Sequence, residues 1–317
     1  MTDTTTRPAP IPDGIYFGLS DEAYHADLAL GSTGLKKLLS SPPDYWWQSP
    51  MNPLHEPEES DTPSKRFGKA LHRCVLEGQH LFVSEYAPTD LPGNTKEGKA
   101  EKERIEAAGM KPLKRDDYNR ILGSAAFIKA NPNLGAAFTN GMPEVSVFWT
   151  ADGVRKKSRF DFLKLNAIVD LKSIRNPRGK VFQKACRDAI AEYDYILSAE
   201  HYCDGRRQMA RLVSEGRVYG DHDAEWLARV AQNEMFAFVL VFWQAESSPI
   251  SHGFKLSPGN PLFLQARSKI EVAIAAYKRF LAEFGENAAW MLAEPIDEIQ
   301  DGDLPAWWVA QQQIYGA

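Results

Sequence analysis

Over the first 130 residues, apolar positions recur mostly at helical spacing. Ser32-Thr-Gly-Leu-Lys-Lys-Leu-Leu predicts a short helix with a Ser or Thr N-cap, stopping before Ser41-Pro-Pro43. Arg66 to Gly78 carries an apolar stripe at Leu71, Val75 and Leu76, and Gly78 suits a C-terminal stop. The Lys/Glu-rich stretch Lys96 to Glu106 predicts a solvated helix, and Asp116 to Ala130 predicts another that ends before Pro132. Residues 48–64, with Pro50, Pro53, Pro57, Pro63 and the acidic run Glu56 to Asp61, read as a loop.

The period then changes. Glu144-Val-Ser-Val-Phe-Trp-Thr150 alternates as a strand does and runs into a turn at Asp152-Gly153. Residues 154–163 and 167–173 read as two further strands, helix returns over Val181 to Gly205, and Met235 to Trp243 reads as a buried strand. A short strand at 251–256 and a long amphipathic helix over Asn260 to Gly285 follow. Trp290, Trp307 and Trp308 in the tail suit packing on the body or a partner. This order predicts an α/β or α+β core with helical additions: a leader over 1–13, one domain over 14–290 with an insertion around 87–130, and a tail over 291–317.

Charge and cysteines narrow the chemistry. The formal net charge of -5 offers no global basic signal, so any nucleic-acid contact rests on local patches. Cys74, Cys186 and Cys203 are too far apart for a zinc motif and too few for an iron–sulfur cluster. Met1-Thr-Asp-Thr-Thr-Thr has no basic or apolar signal-peptide region, and no run reaches the roughly 18 apolar residues of a membrane span. The expectation is a cytoplasmic protein with no membrane partner.

The densest chemistry lies in the second hairpin. In Ile168-Val-Asp-Leu-Lys172, a period of 2 puts Ile168, Asp170 and Lys172 on one face. A turn centred on Leu165-Asn166 sets Asp161 opposite Asp170. Two carboxylates facing each other on a sheet repel, and a cation removes the penalty. Lys172 is then placed to hold an attacking water or to stabilise charge on a phosphate. The same residues also fit a surface hairpin with ordinary charges. His72 on its helix and Glu144 opening its strand are, taken singly, as well explained by structure and solvent. Tyr195, Ser198 and Tyr202 share a helical face that suits phosphate or a core, and Arg206 and Arg207 suit a DNA backbone or a solvated helix end.

Together these segments resemble the PD-(D/E)xK nuclease superfamily, and within it the RecE-like branch of exodeoxyribonuclease VIII and phage-borne relatives, related to lambda exonuclease and RecB-type nuclease domains. The resemblance runs in order through Ser32 to Tyr45, Phe67-Gly-Lys-Ala-Leu-His72, Glu144 to Trp149, Lys157-Ser-Arg-Phe-Asp161, Ile168-Val-Asp-Leu-Lys172 and Tyr195 to Gly205. It implies a restriction-endonuclease-like core, a central mixed sheet flanked by helices. It implies Mg²⁺, with Mn²⁺ as a substitute, at His72, Asp161, Asp170 and the Leu171 carbonyl, with Lys172 as the catalytic lysine and Glu144 as a recurrent acid. It places DNA against Tyr195, Ser198, Tyr202 and Arg206. The implied activity is 5′-to-3′ resection of duplex DNA ends by a ring-shaped homo-oligomer serving a single-strand-annealing recombinase. Ser198 stands where the branch has glutamine, which leaves open a catalytically weakened DNA-binding or assembly protein, and a nuclease of other polarity.

Overall fold

The computed structural model describes residues 9–55, 62–244 and 248–315. The acidic run Glu56 to Asp61 and leader residues 1–8 lie outside them. The strands are β1 (Gly14–Tyr16), β2 (Tyr86–Thr89), β3 (Lys111–Lys114), β4 (Gly141–Ala151), β5 (Val154–Lys164), β6 (Ala167–Ile174), β7 (Val218–Tyr219), β8 (Ala237–Gln244) and β9 (Ser251–Leu256). The helices are α1 (Asp21–Ala26), α2 (Ser32–Ser40), α3 (Pro42–Trp47), α4 (Pro63–His72), α5 (Gln79–Glu85), α6 (Lys96–Ala107), α7 (Arg115–Ala130), α8 (Phe182–Glu192), α9 (Tyr195–Arg207), α10 (Met209–Ser214), α11 (Ala224–Gln232), α12 (Leu262–Phe284) and α13 (Ala306–Tyr315).

Seven strands form one mixed sheet in the order β7-β1-β4-β5-β6-β8-β9. The antiparallel meander β4-β5-β6 sits at its centre, and β8 joins β6 in parallel after the chain crosses over through α8 to α11. The central mixed sheet with flanking helices is the expected fold class. Period 2 explains how both faces are covered. Phe160, Ile168, Phe238 and Phe242 pack beneath α8 and α9, while Val169, Leu171, Val241 and Trp243 pack with α4 and α7. No helix among the described residues is long and apolar enough to cross a membrane.

Local departures from the expected elements have local causes. The helix expected over 181–205 is two helices, because Asp194 adopts a left-handed conformation (φ 45) between α8 and α9. The helix expected over 66–78 leaves α-geometry at Arg73–Glu77, a π turn, and Gly78 ends it at φ 110. α2 has Gly31 rather than Ser or Thr at its N-cap. The Ser41-Pro-Pro43 stop also opens α3, with Ser41 capping it and proline at its first turn. Strands β2 and β3 pair in parallel within the polar 87–117 stretch, and β1 and β7, at one side of the main sheet, are too short for alternation to reveal. The end of the leader is tied down: Ile11 N–H bonds Asp27, and Asp13 accepts from the Thr150 N–H and hydroxyl. In the tail Trp290 is buried against Tyr45, Tyr277 and Phe280, while Trp307 is exposed.

Candidate active site

The site grows from a flaw in the sheet. Strands β4 and β5 pair at Pro143↔Phe162 and at Val145↔Phe160, and the ladder lapses between them, where Glu144 faces Asp161. Val145 and Met142 both face the α8–α9 side of the core, as do Phe160 and Leu163, so the pleat slips by one residue on each strand. Glu144 takes up the slip with a left-handed backbone (φ 52), which costs a non-glycine residue about 1–2 kcal/mol. On the other side, β5 pairs with β6 at Phe162↔Val169 and Leu163↔Ile168. That register extrapolates to Asp161 opposite Asp170, as the Leu165-Asn166 turn predicts. The strands part there, and the Leu171 N–H donates to Asp161 Oδ2 at 2.7 Å in place of a ladder bond. Three acids, Glu144, Asp161 and Asp170, thus lie side by side on three neighbouring strands.

His72, at the last turn of α4, closes the row from one side. Its Nδ1 lies 4.0 Å from both Glu144 Oε1 and Asp161 Oδ2. His72, Glu144 and Asp161 each offer a ligand atom, and these atoms all lie within 4.8 Å of one another. This grouping brings Glu144, expected as a catalytic acid, together with the expected ligands His72 and Asp161. Asp170, expected as a further ligand, is held by Lys172 Nζ at 2.7 Å, and the N–H of Leu171, whose carbonyl was the expected ligand, donates to Asp161. The sequence signal for Glu144 was weak, since an acid at a strand start is ordinarily solvated.

The electrostatics are those of crowded, buried carboxylates. Burial and then the Asp161 carboxylate push Glu144 up to about 8. Burial pushes Asp170 up to about 6; Asp161 adds to this and Lys172 opposes it. Burial alone would lower Lys172, but Asp170 and Asp161 outweigh it and hold the ammonium above its ordinary range. The carboxylates of Glu144 and Asp161 beside the His72 imidazole form a hard oxygen-and-nitrogen donor set that suits a divalent cation.

A family model for a PDDEXK-like domain of unknown function, DUF3799, matches residues 32–217. The chain belongs to this family. The matched span of the DUF3799 domain holds His72, Glu144, Asp161, Asp170 and Lys172, and it places the chain in the PD-(D/E)xK superfamily. No curated protein matches the chain in sequence. Among solved structures, a protein from Eubacterium rectale described as a candidate exonuclease superposes over 92% of this chain and 99% of its own, with a TM-score of 0.53 and 12% identity. At that identity the likeness extends to the fold alone. A second structure, SSO0001, covers 78% of this chain and 85% of its own at 14% identity, but a TM-score of 0.21 carries no argument.

In the DUF3799 domain, α9 forms the opposite wall of the site. Lys172 Nζ lies 5.5 Å from the centre of the Tyr195 ring, and the half-buried Tyr202 hydroxyl engages Ser32. Burial and the nearby Asp170 hold the Tyr202 phenol protonated. Ser198, on the same helix face, is 8% exposed. Arg206 corrects its expected role at DNA. It is 1% exposed, donates to the Leu165 carbonyl at 2.7 Å and stacks 4.0 Å from the centre of Phe236, so it buttresses the hairpin from behind. Arg207 is engaged by Glu200. Lys36 on α2 escaped the sequence reading, because its neighbours Leu35 and Leu38 mark the buried stripe and leave it on the outer face. Its Nζ reaches the Tyr193 carbonyl at 2.6 Å and lies 5.4 Å from the centre of the Tyr195 ring.

Proposed function

We propose that this chain is a metal-dependent exodeoxyribonuclease of the RecE-like branch, resecting linear duplex DNA 5′-to-3′ to leave 3′ single strands. The observation that carries the reading is the row Glu144, Asp161 and Asp170 beside His72, with Lys172 fixed on Asp170. Mg²⁺, or Mn²⁺ in its place, supplies Lewis acidity toward a phosphate oxygen and an acidified water. The residues that would hold it are His72, Glu144 and Asp161, with Asp170 adjoining. Asp161 is oriented by the Leu171 N–H, so its second oxygen keeps a set direction. Lys172, kept protonated by Asp170, is a donor to charge developing on phosphate rather than a base. Tyr195 and Tyr202 enclose the reacting side and hold back water. A ring-shaped homo-oligomer and a single-strand-annealing recombinase as partner belong to the same proposal.

The test is digestion of linear duplex DNA with Mg²⁺ and Mn²⁺, using 5′- and 3′-labelled ends. Release of 5′ label first, abolished in Asp161→Asn and Lys172→Ala, is the expected outcome. Release of 3′ label first reverses the polarity. Ser198 at the branch's glutamine position favours a second reading, a catalytically weakened DNA-binding protein. Wild-type protein that binds duplex but stays inert with both metals would establish it.

A further inference from the structure

Tyr195 is shared by two regions. One edge of its surroundings is the catalytic Lys172; the other is a groove of about 900 Å³ running between α7, the 174–180 loop and α8. The groove carries cations and aromatic rings together. Arg175 and Arg178 come from the loop, and among the described residues Arg178 makes no ion pair. Tyr193, at the rim, is 52% exposed and stacks obliquely on Tyr195 at 5.7 Å. Lys36 stands at the junction with the site, pinned by the Tyr193 carbonyl.

We propose that this groove holds one polynucleotide strand and delivers it to the acidic row, with phosphates on Lys36, Arg175 and Arg178 and a base stacked on Tyr193. The proposal deepens the nuclease reading and rests on it for the strand's fate, though not for its binding. A single strand is favoured over a duplex for two reasons. An exposed tyrosine face can stack only on a base already out of its helix. The groove's volume is of small-ligand size, and its wall also carries Asp117 and Glu192, which repel a second charged backbone. Lys180 adds little attraction, because Asp188 already holds it at 2.7 Å. Base identity is not read, since backbone cations and ring faces accept any sequence.

The experiment is fluorescence anisotropy of a labelled dT12 and of a blunt hairpin duplex on the full chain in EDTA, where nothing is cut. The expected results are dT12 binding tighter than duplex binding, and an Arg175→Ala/Arg178→Ala protein weakened about tenfold or more with a salt slope shallower by roughly 1 to 2. Tyr193→Ala is expected to weaken dT12 binding about 5- to 150-fold, the range of one lost base stack. Thermal melts check that the variants fold. Hydrogen exchange on the wild type gives a variant-free measure, with dT12 protecting residues 174–193. Preference for duplex, variants that bind dT12 as the wild type does, or protection elsewhere overturns the proposal. The two readings fail separately. Binding of dT12 in the groove, with linear duplex left uncut under both Mg²⁺ and Mn²⁺, ends the nuclease reading alone. Cleavage with the groove variants unimpaired in binding ends the groove alone.

Discussion

Strand β5 carries two charged regions a few residues apart, and they are built in opposite ways. In the first, every cation is answered from within. Arg155 bonds Asp27 and the Ile11 carbonyl, Lys157 donates to the carbonyls of Tyr24 and Asp27, and Arg159 reaches Asp21, Ser146 and the Leu19 carbonyl. Asp27 is held below its ordinary value, because bonds from Arg155, Ala29 and Ile11 outweigh its burial. In the second region, Asp161 lies between Glu144 and Asp170, and Lys172 is spent on Asp170. The first region is a set of internal clamps between the leader, α1 and the sheet. The second carries repulsion that Arg159 and Lys172 oppose without cancelling, since Glu144 and Asp170 both stay raised, together with a strained Glu144 backbone. Burial is common to both. What distinguishes the candidate site is the charge left over.

Substitution at the acidic row tests that distinction most severely. Asp161→Asn should lower nuclease turnover by about a thousandfold while leaving the melting temperature equal or higher, because it removes repulsion from Glu144 and Asp170 without taking Lys172's ion-pair partner. Parallel loss of fold and activity would erase the contrast. Lys157→Met should do the reverse, costing about 2–3 kcal/mol by stranding the Tyr24 and Asp27 carbonyls. Chemical denaturation gives its size, and activity per folded molecule should hold. Arg206→Met should act with the clamps rather than the site, lowering stability by about 1–2 kcal/mol and leaving DNA affinity unchanged. A drop in affinity with an unchanged melt would return Arg206 to the DNA surface.

The smallest effect is the most diagnostic. Glu144 has a folded value of about 8 against an ordinary 4.5, so between these values the metal-free folded protein binds more protons than the unfolded chain. Its stability should therefore fall as pH rises from about 4.5 to about 8, by an amount that partial exposure keeps modest. Glu144→Gln should flatten that slope in pH-dependent melts. Mn²⁺ binding should strengthen over the same window and release protons, which calorimetry in two buffers measures. A slope unchanged in the variant would remove Glu144 from the row.

The hairpin of the site was legible because a turn and a period of 2 are local. Leu165-Asn166 closes it, the register follows, and Asp161 meets Asp170 without reference to any distant residue. The meander, α7 and α12 were legible on the same terms. The division at Asp194 and the π turn at Arg73–Glu77 were not, since neither residue type nor spacing marks them. Arg206 was misread because a basic helix end looks alike in solvent and beneath a hairpin.

The sequence by itself therefore determined the central meander, β8 and β9, the pairing across the central hairpin, and two of the three acids with their lysine. Folding over long range settled the rest: that α4 sets His72 beside Asp161, that α2 brings Lys36 to Tyr195, and that Glu144 turns inward. The reason is the range of the forces. Alternation and turn closure act over a few residues and are written in order along the chain. The slip of the pleat at Glu144 and Asp161 is instead imposed by packing both faces of a twisted sheet at once, and no short segment records it.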